Sequence, residues 1–230
     1  MELNEFENKI GYKFKDINIL KTAFTHTSYA HENKTESNEK LEFLGDAILE
    51  YTVSNHLYNN YKKLKEGEMT KVRAAVVCEK SLHKVSLKYS FDKLLYLGKS
   101  EKLSGGNHKP ALLADSVEAV IAAIYLDAGL ELAERFIIEN LKNAIEEASK
   151  NVGKKDYKTV LQEELQKRGS VKIEYKIIKE EGPDHNKTFV AEVSCNDKYL
   201  ATGTGSTKKE AEMQAARQAL QNKKLGGKDV

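Results

Sequence analysis

The chain has 230 residues, 40% of them hydrophobic and 31% charged, and its formal net charge is +2. This length allows one large domain or two modest ones, each able to bury a core. A mean hydropathy of -0.58 argues against a membrane protein. The longest uncharged apolar run is also far shorter than the roughly 20 residues that a membrane span needs. We therefore expect no membrane association.

Two features bear on the cellular compartment. The N-terminal segment is acidic and has no apolar region of the kind found in signal peptides. Cys78 and Cys195 are far apart, and neither belongs to a CxxC pair. We therefore expect two reduced thiols in a cytoplasmic protein, and no cysteine-based zinc site.

The charge is unevenly distributed along the chain. Residues 1–150 contain 21 lysines and arginines against 23 acidic residues, whereas residues 151–230 contain 16 against 12. A basic module that follows an acidic one suggests that the C-terminal part contacts a polyanion. An excess of this size is common, so charge alone does not identify the partner.

Residues 1–148 are predicted to form a mostly helical domain, because apolar positions recur with a helical period and strand-like alternation is scarce. Asp16 is a candidate N-cap for an early helix, and Thr70 for a later one. Three further helices are expected to cover the segment that ends near Tyr61, residues 111–126 and about residues 131–149. The predicted loops are KLKEGEM and Gly98–Pro110.

The composition changes after residue 148. Residues 149–155 are polar and rich in lysine, which is typical of a flexible linker. Residues 156–225 combine two helical segments with three stretches that alternate like strands. The prediction is a small α+β domain with the order α-β-β-β-α and an antiparallel sheet. Turns between its strands are expected at EGPDHN and at Asn196-Asp197.

Five carboxylates in two apolar helical segments are the strongest sign of function. Glu39, Glu42 and Asp46 fall within about 60° of one another on a helical projection. Asp115 and Glu118, three residues apart, share a face of another helix. A solvated acidic face is the usual meaning of such spacing. Here, however, 13 of the 16 residues in the segment that holds the second pair are apolar. Carboxylates among buried neighbours need charge compensation, so the pattern favours a site for a hard metal cation.

Several long motifs resemble those of bacterial ribonuclease III, in the same order. The segment EKLEFLGDAILE, which starts at Glu39, is similar to the signature segment of that family. AFTHTSYAHE resembles the segment before it, and EGEMTKVRAAVV and KPALLADSVEAVIAAIYLDAG resemble the segments after it. Residues 156–225 resemble the double-stranded-RNA-binding domain of the family, with GPDH, TGTGSTKKEAE and an alanine-rich last helix. The resemblance covers nearly the whole chain.

The resemblance implies an all-α nuclease domain that hydrolyses double-stranded RNA with Mg²⁺. It implies 5′-phosphate and 3′-hydroxyl ends with a short 3′ overhang, and a role in the maturation of rRNA precursors and mRNA. The implied metal-binding residues are Glu42, Asp46, Asp115 and Glu118, and the implied catalytic residues are Asp46, Glu118, Glu39 and Glu66. Carboxylates without histidine or cysteine favour Mg²⁺, with Mn²⁺ as a substitute. Two such ions about 4 Å apart could activate a water and stabilise the departing 3′ oxygen.

Four residues near these carboxylates each have two interpretations. Glu66 either supports the site or favours the N-terminus of the helix that follows it. Glu39 either supports the site or contacts a second protomer. Lys109 either reaches a phosphate or is an exposed loop lysine. His26 is interpreted as a hydrogen-bonded structural residue rather than as a general base.

Leu41 and Phe43 alternate with Glu42 and point away from the carboxylate face. Core packing is the default for such residues. The resemblance implies instead a homodimer in which Phe43 inserts into the partner, with Leu41 in the same interface. An isologous dimer would place two acidic sites in one valley, one for each strand of a duplex.

Three regions of the C-terminal domain are predicted to bind double-stranded RNA. The first helix carries polar side chains at one-turn spacings, which suit the shallow minor groove. These side chains are Thr159, Gln162, Glu163 and Gln166. His185 lies in the GPDH turn, where a loop could enter the next minor groove. Lys208 and Lys209 open the last helix, where they suit phosphates, although a generic α+β domain also carries solvated lysines there.

Two other functions are alternatives to that of an endoribonuclease. A protein with this fold could bind RNA without cleaving it, but every acidic position of the family is filled here. A carboxylate-bridged di-iron protein generally pairs Glu-x-x-His motifs. This chain has Asp115-x-x-Glu118 instead, and an appended RNA-binding domain would be unexplained.

Overall fold

The computed structural model describes residues 2–153, 157–167, 170–183 and 187–225. The chain forms two compact units, residues 1–153 and residues 154–230. The first unit is helical, and the second consists of a helix, three strands and a helix. The predicted fold class is therefore confirmed.

The first unit contains the helices α1 to α9. They are Leu3–Ile10, Ile17–Ala23, Thr27–Asn33, Glu39–Asn60, Glu66–Val76, Glu79–Lys88, Lys99–Leu103, Pro110–Ala128 and Leu130–Asn151. Two short 3₁₀ turns, Phe91–Lys93 and Gly106–His108, lie before and after α7. The predicted cap of α2 is confirmed, because the Asn18 backbone N–H donates to Asp16 Oδ1 over 2.9 Å.

The start of α5 differs from the sequence prediction. The helix begins at Glu66 and not at Thr70. Its first turn is closed by the Glu68 carboxylate, which accepts a hydrogen bond of 2.8 Å from the Lys65 backbone N–H. Thr70 lies one turn inside the helix, where its hydroxyl donates to Glu66 Oε1 over 3.1 Å. Part of the predicted KLKEGEM loop is therefore helical.

Two other segments are also more helical than predicted. The predicted loop before α8 contains α7, which starts with a 2.9 Å hydrogen bond from Lys102 N–H to Gly98 O. α9 continues to Asn151, because Val152 packs against the core and its N–H donates to Ala148 O. The first three residues of the predicted linker are therefore part of this helix.

The core of the first unit lies around α8, which packs against α4, α6 and α9. The stretch of α8 from Ala119 to Ile124 is at most 1% exposed, which explains its almost uninterrupted apolar sequence. Phe6, Phe24 and Phe91 add a cluster of edge-to-face rings, with the last two ring centroids 4.8 Å apart. Within the described ranges, none of the helices combines the length and the apolar character that crossing a bilayer requires.

The second unit contains α10, β1, β2, β3 and α11. They are Tyr157–Gln166, Ile173–Glu181, Thr188–Cys195, Lys198–Gly205 and Lys208–Leu225. The strands pair antiparallel in the order β1-β2-β3, with Val193 opposite Tyr175 on one side and Ala201 on the other. Asn196 and Asp197 both have positive φ, as a tight turn between β2 and β3 requires.

The two helices of the second unit cover one face of the sheet. Leu161 of α10 and Ala215 and Ala216 of α11 are buried against Val193. At Gly203 of β3, an added Cβ would lie 2.0 Å from the Ala215 backbone nitrogen. The small residues of β3 and α11 therefore let the last helix lie close to the sheet.

Candidate functional site

The crossing of α4 and α8 brings the two acidic segments together. At Gly45 of α4, an added Cβ would lie 1.8 Å from the backbone carbonyl oxygen of Glu118 in α8. The two helices are therefore in backbone contact at this point. Glu42 and Asp46 flank Gly45 along α4, and Asp115 lies one turn before Glu118 on α8. The four predicted metal-binding carboxylates thus gather at one helix crossing.

The pKa of Glu118 is raised by its burial and by the other carboxylates of the cluster. Burial raises this pKa, and the negative charges of Asp46, Glu42 and Asp115 raise it further, to about 8. The pKa of Glu42 is also raised, first by burial and then by Asp115, Glu39 and Asp46. Like charges that are partly removed from water disfavour ionisation in this way. The crossing therefore holds more negative charge than its surroundings compensate.

Asp115 and Glu42 line a cavity of about 150 Å³ beside the crossing. The other residues of its wall are His26, Thr27, Asn38, Glu39, Leu95 and Leu112. Burial raises the pKa of Asp115, the charge of Glu79 adds to this effect, and His26 opposes it. The cavity therefore combines acidic groups with a histidine and an amide at one end of the acidic cluster.

Glu79 is a neighbour of the site that the sequence analysis missed. It is the first residue of α6, and it acts on Asp115 because α6 packs against α8. Asn38, which is 4% exposed, was also missed. It directly precedes the signature segment, so its position in the sequence was an available signal.

The donor set fits a hard divalent cation, because it consists of carboxylate oxygens whose negative charges are not compensated. In the part of the chain that the structure describes, no three or more His, Cys, Asp or Glu side chains are arranged to hold a metal ion together. A cation at the crossing would therefore require these side chains to draw closer to one another.

Glu39 and Glu66 differ in their relation to this cluster. Glu39 lines the cavity, accepts a hydrogen bond of 3.0 Å from Ser37 Oγ, and contributes to the raised pKa of Glu42. Glu66 is exposed at the first position of α5, where it accepts the Thr70 hydroxyl. The charges that raise the pKa values of Glu42, Asp115 and Glu118 do not include Glu66. Of these two residues, Glu39 lies at the cluster within one copy of the chain, and Glu66 is not among the charges that act on it.

Lys109 and His26 both have defined partners. Lys109 precedes α8, and its Nζ lies 2.6 Å from Glu101 Oε1. This contact holds the pKa of Glu101 below its ordinary value. His26 is the N-cap of α3, and its Nδ1 accepts from the Ser28 backbone N–H over 3.3 Å. The hydrogen bonds expected of His26 are therefore present.

Phe43 is 80% exposed, which makes the default expectation of core packing wrong for this residue. Leu41 packs partly against the core and also lines a groove of about 410 Å³. The groove is further lined by Ile19, Thr22, Glu36, Ser37, Glu39, Lys40 and Leu126. The first unit therefore exposes both a large apolar side chain and a partly apolar groove.

The predicted RNA-binding residues of α10 lie on its outer side. Thr159, Gln162, Glu163 and Gln166 are exposed, whereas Leu161 is buried. Gln162 and Gln166 line an open cavity of about 280 Å³ with Lys158, Val171, Ile173 and Tyr175. His185 lies outside the residues that the structure describes.

The two lysines at the start of α11 are both exposed. Lys208 is paired, because its Nζ lies 2.7 Å from Glu180 Oε1 in β1. The same ammonium group lies 5.6 Å from the centre of the Phe189 ring. A phosphate that binds at Lys208 would have to compete with the Glu180 carboxylate.

Comparison with protein families gives two matches along the chain. The model described as Ribonuclease-III-like matches residues 16–145. The model described as double-stranded RNA binding motif matches residues 157–223. The first match contains the whole acidic cluster at the α4–α8 crossing, and the second begins with α10 and includes most of α11.

Named relatives match over almost their full length. Ribonuclease 3 of Caldanaerobacter subterraneus subsp. tengcongensis is 48% identical over 226 residues, which cover 97% of this chain and 98% of that protein. Ribonuclease 3 of Clostridium perfringens is 47% identical over 222 residues, with coverages of 96% and 94%. Ribonuclease 3 of Bacillus cereus strain G9842 is 49% identical over 223 residues, with coverages of 95% and 90%.

A solved structure supports the same relationship for the first unit. The nuclease domain of ribonuclease III from Campylobacter jejuni matches with a TM-score of 0.59 and 37% identity. The match covers 62% of this chain and 98% of that domain, in which a region involved in dimer formation shows structural flexibility. Together with the matches in sequence, this places the chain in the ribonuclease III family of double-stranded-RNA endoribonucleases, which are metal-dependent enzymes.

Proposed function

We propose that this chain is a Mg²⁺-dependent endoribonuclease in which Glu42, Asp46, Asp115 and Glu118 hold the catalytic cations. The observation that carries the proposal is the backbone contact between Gly45 and Glu118, because it gathers carboxylates from two helices. The raised pKa values of Glu42, Asp115 and Glu118 mark a charge excess that a divalent cation would relieve. Mg²⁺ prefers such oxygen ligands, and Mn²⁺ is the expected substitute.

The cations, when bound, supply activation of a water and stabilisation of the departing 3′ oxygen. The carboxylates of the chain fix the positions of those cations relative to the scissile phosphate. Asp46 and Glu118 lie next to the backbone contact of the two helices, so their main chains are held firmly. Glu39 supports the cluster from the cavity wall. The proposed products carry 5′-phosphate and 3′-hydroxyl ends with a short 3′ overhang.

Duplex binding is assigned to the second unit. The exposed side chains of α10 would contact 2′-hydroxyls and base edges in a minor groove. Lys208 and Lys209 would contact phosphates at the start of α11, and His185 would reach the next minor groove. Lys109 is proposed as a further phosphate contact, in competition with Glu101. The remaining connection between the units, after Asn151, would act as a linker.

The exposed Phe43 and the groove beside Leu41 support a homodimer. A phenylalanine that is 80% exposed would contribute favourable free energy if a partner buried it. A two-fold axis would bring the Phe43 of each protomer to the groove of the other, since both features belong to the same unit. Such a dimer would offer one acidic cluster for each strand of a duplex. Glu66, which is exposed, would be available to a partner's site.

The proposed cellular role is the maturation of rRNA precursors and of mRNA in the cytoplasm. It is supported by the substrate class, because structured precursors contain long duplex segments. Sequencing of RNA ends in cells that lack the gene tests this role, with accumulated uncut rRNA precursor as the expected result.

The activity is tested by incubating the purified chain with a long RNA duplex and Mg²⁺. The duplex should be cut into shorter fragments. Because these fragments should carry 5′-phosphates, a ligase should join them directly to an adaptor that ends in a 3′-hydroxyl. A single-stranded RNA of the same sequence, and a reaction with excess chelator, serve as controls. Binding of the duplex without cleavage at any Mg²⁺ or Mn²⁺ concentration would instead identify a binding protein.

A further inference from the structure

His26 is held rigidly at the wall of the acidic cavity. Its backbone N–H donates to Tyr96 O over 3.1 Å, and the preceding Thr25 forms a parallel bridge with Tyr96. Thr25 O also accepts the backbone N–H of Asn38, the residue before α4. The imidazole ring lines the cavity together with Asp115. The ring is therefore fixed relative to the start of α4 and faces a cavity that contains candidate metal ligands.

Ser28 makes two contacts with ring nitrogen Nδ1 of His26. Ser28 Oγ accepts the backbone N–H of Gly98 over 2.9 Å and lies 2.8 Å from His26 Nδ1. The Ser28 backbone N–H also donates to Nδ1, over 3.3 Å. If Nδ1 accepts from the backbone, it carries no proton, and the Ser28 hydroxyl can donate its own proton to it. These contacts fit the tautomer whose proton resides on Nε2.

Gly98 makes this arrangement possible. A Cβ at Gly98 would lie 2.7 Å from the backbone oxygen of Ser28 and equally close to Glu32 Oε1. The next residue, Lys99, donates its backbone N–H to the same Glu32 carboxylate over 2.9 Å. The loop before α7 therefore approaches α3 closely enough to supply the hydrogen bond that orients the Ser28 hydroxyl.

The Nε2–H group of His26 has no strong partner among the contacts of the described chain. Its nearest one is Thr27 Oγ1 at 3.5 Å, which is at the limit of a hydrogen bond. The ring and the Asp115 carboxylate line the same cavity. A directed N–H donor thus lies close to a half-buried carboxylate without being satisfied by it.

We propose that His26 is a positioning residue for Asp115, which donates Nε2–H to that carboxylate when the acidic side chains draw together around a cation. This inference rests on the proposed function of the cluster as a metal site. Carboxylate ligands are commonly oriented by hydrogen bonds from residues behind them, and loss of such a bond weakens metal binding about 10- to 100-fold. His26 does not act as a base in this role, since Nδ1 is blocked and Nε2 already holds the proton.

Two substitutions separate this role from simple capping of α3. Asparagine can accept the Ser28 N–H, as Nδ1 does, and is a good N-cap, but it is too short to replace Nε2–H. Glutamine places an amide N–H near the position of Nε2 but does not cap the helix. The positioning role predicts that His26→Asn melts near the wild-type temperature and binds Mn²⁺ about 10- to 100-fold more weakly. It predicts that His26→Gln melts earlier but binds Mn²⁺ within about threefold of wild type.

The measurements are the melting temperature without metal and Mn²⁺ binding by electron paramagnetic resonance without RNA. His31→Gln, an exposed change in the same helix, is the matched control and should alter neither. The opposite pattern, with normal Mn²⁺ binding in His26→Asn and weak binding in His26→Gln, would leave only a capping role. Equal binding in both variants and wild type would also overturn the proposal.

A measurement on the wild-type protein decides the case if a variant fails to fold. Nitrogen-15 NMR should show His26 Nδ1 without a proton and Nε2 with one, and the Nε2–H signal should shift when Mg²⁺ is added. A proton on Nδ1, or an Nε2–H signal whose chemical shift does not change at saturating Mg²⁺, would refute the inference. A wild-type enzyme that binds Mn²⁺ but does not cleave duplex RNA would contradict the proposed activity and leave the His26 result valid.

Discussion

Gly45 of α4 and Glu118 of α8 are in backbone contact, with no space between them for even a methyl group. An added Cβ would lie 1.8 Å from the Glu118 carbonyl oxygen. Neither atom belongs to a flexible side-chain end, so any larger residue must push the two helices apart. The contact therefore sets the distance between the carboxylates on either side of it.

Gly45→Ala tests this relationship. We expect a loss of about 1–3 kcal/mol of stability from overpacking and a large loss of cleavage, because Glu42 and Asp46 would move away from Asp115. Gly67→Ala is the matched control, since Gly67 is helical and an added Cβ there meets nothing within 4 Å. The control should gain up to about 1 kcal/mol. Thermal melting measures the stability of the two variants, and a cleavage assay measures their activity. Equal melting temperatures of Gly45→Ala and Gly67→Ala would contradict the close contact.

The raised pKa of Glu118 makes stability depend on pH. Because this pKa is about 8 in the folded chain and 4.5 is its ordinary value, the folded state binds a proton that the unfolded state releases. Stability without metal should therefore fall as pH rises from about 4.5 to 8. Glu118→Gln removes this loss, so its advantage in melting temperature should grow over that range. Because Glu118 is partly exposed, we expect this advantage to grow by on the order of 1 kcal/mol in the free energy of unfolding. This corresponds to about 2–4 °C in melting temperature. A constant difference between pH 5 and pH 9 would contradict the shift.

Phe43→Glu tests the proposed dimer. A carboxylate in a desolvated contact between protomers lacks compensation, so self-association should weaken at least about tenfold. Leu87→Glu, an exposed change on α6, is the control and should leave the association unchanged. Sedimentation velocity across a dilution series measures both. A Phe43→Glu protein that dimerises like wild type would remove this residue from the interface.

Glu180 is expected to weaken RNA binding by holding Lys208. Their side chains are 2.7 Å apart and largely exposed, so the pair contributes up to about 1 kcal/mol. Glu180→Gln should therefore tighten duplex binding up to about fivefold at low salt, whereas Lys208→Gln should weaken it and reduce the salt slope by about 1. Glu181→Gln, which removes the partner of Lys179, is the control. Unchanged affinity in both Lys208→Gln and Glu180→Gln would exclude a phosphate at this lysine.

Local sequence patterns predicted the elements that depend on local physics. The apolar run of α8 and the alternation of β1 and β2 are each encoded within one segment. The start of α5 was missed because Lys65 is not a usual capping residue, and the cap comes from the Glu68 side chain that follows it. The length of α9 was missed because its last turn depends on the packing of Val152 against distant parts of the core.

The sequence predicted which carboxylates belong to the site better than it predicted their surroundings. Helical spacing and a family resemblance together indicated Glu42 and Glu118. The influence of Glu79 on Asp115 depends on how α6 packs against α8, which no local pattern encodes. For the same reason, periodicity did not distinguish a buried Phe43 from an exposed one.

The most direct test of the central claim compares cleavage and binding in Glu118→Gln. The amide keeps the size of the side chain but removes a negative oxygen ligand that a hard cation requires. We expect cleavage of duplex RNA to fall by orders of magnitude at limiting Mg²⁺. Duplex affinity in Ca²⁺ should stay within about twofold of wild type, since α10 and Lys208 belong to the other unit. Cleavage at a near wild-type rate under these conditions would contradict the assignment of Glu118 as a ligand of the catalytic cation.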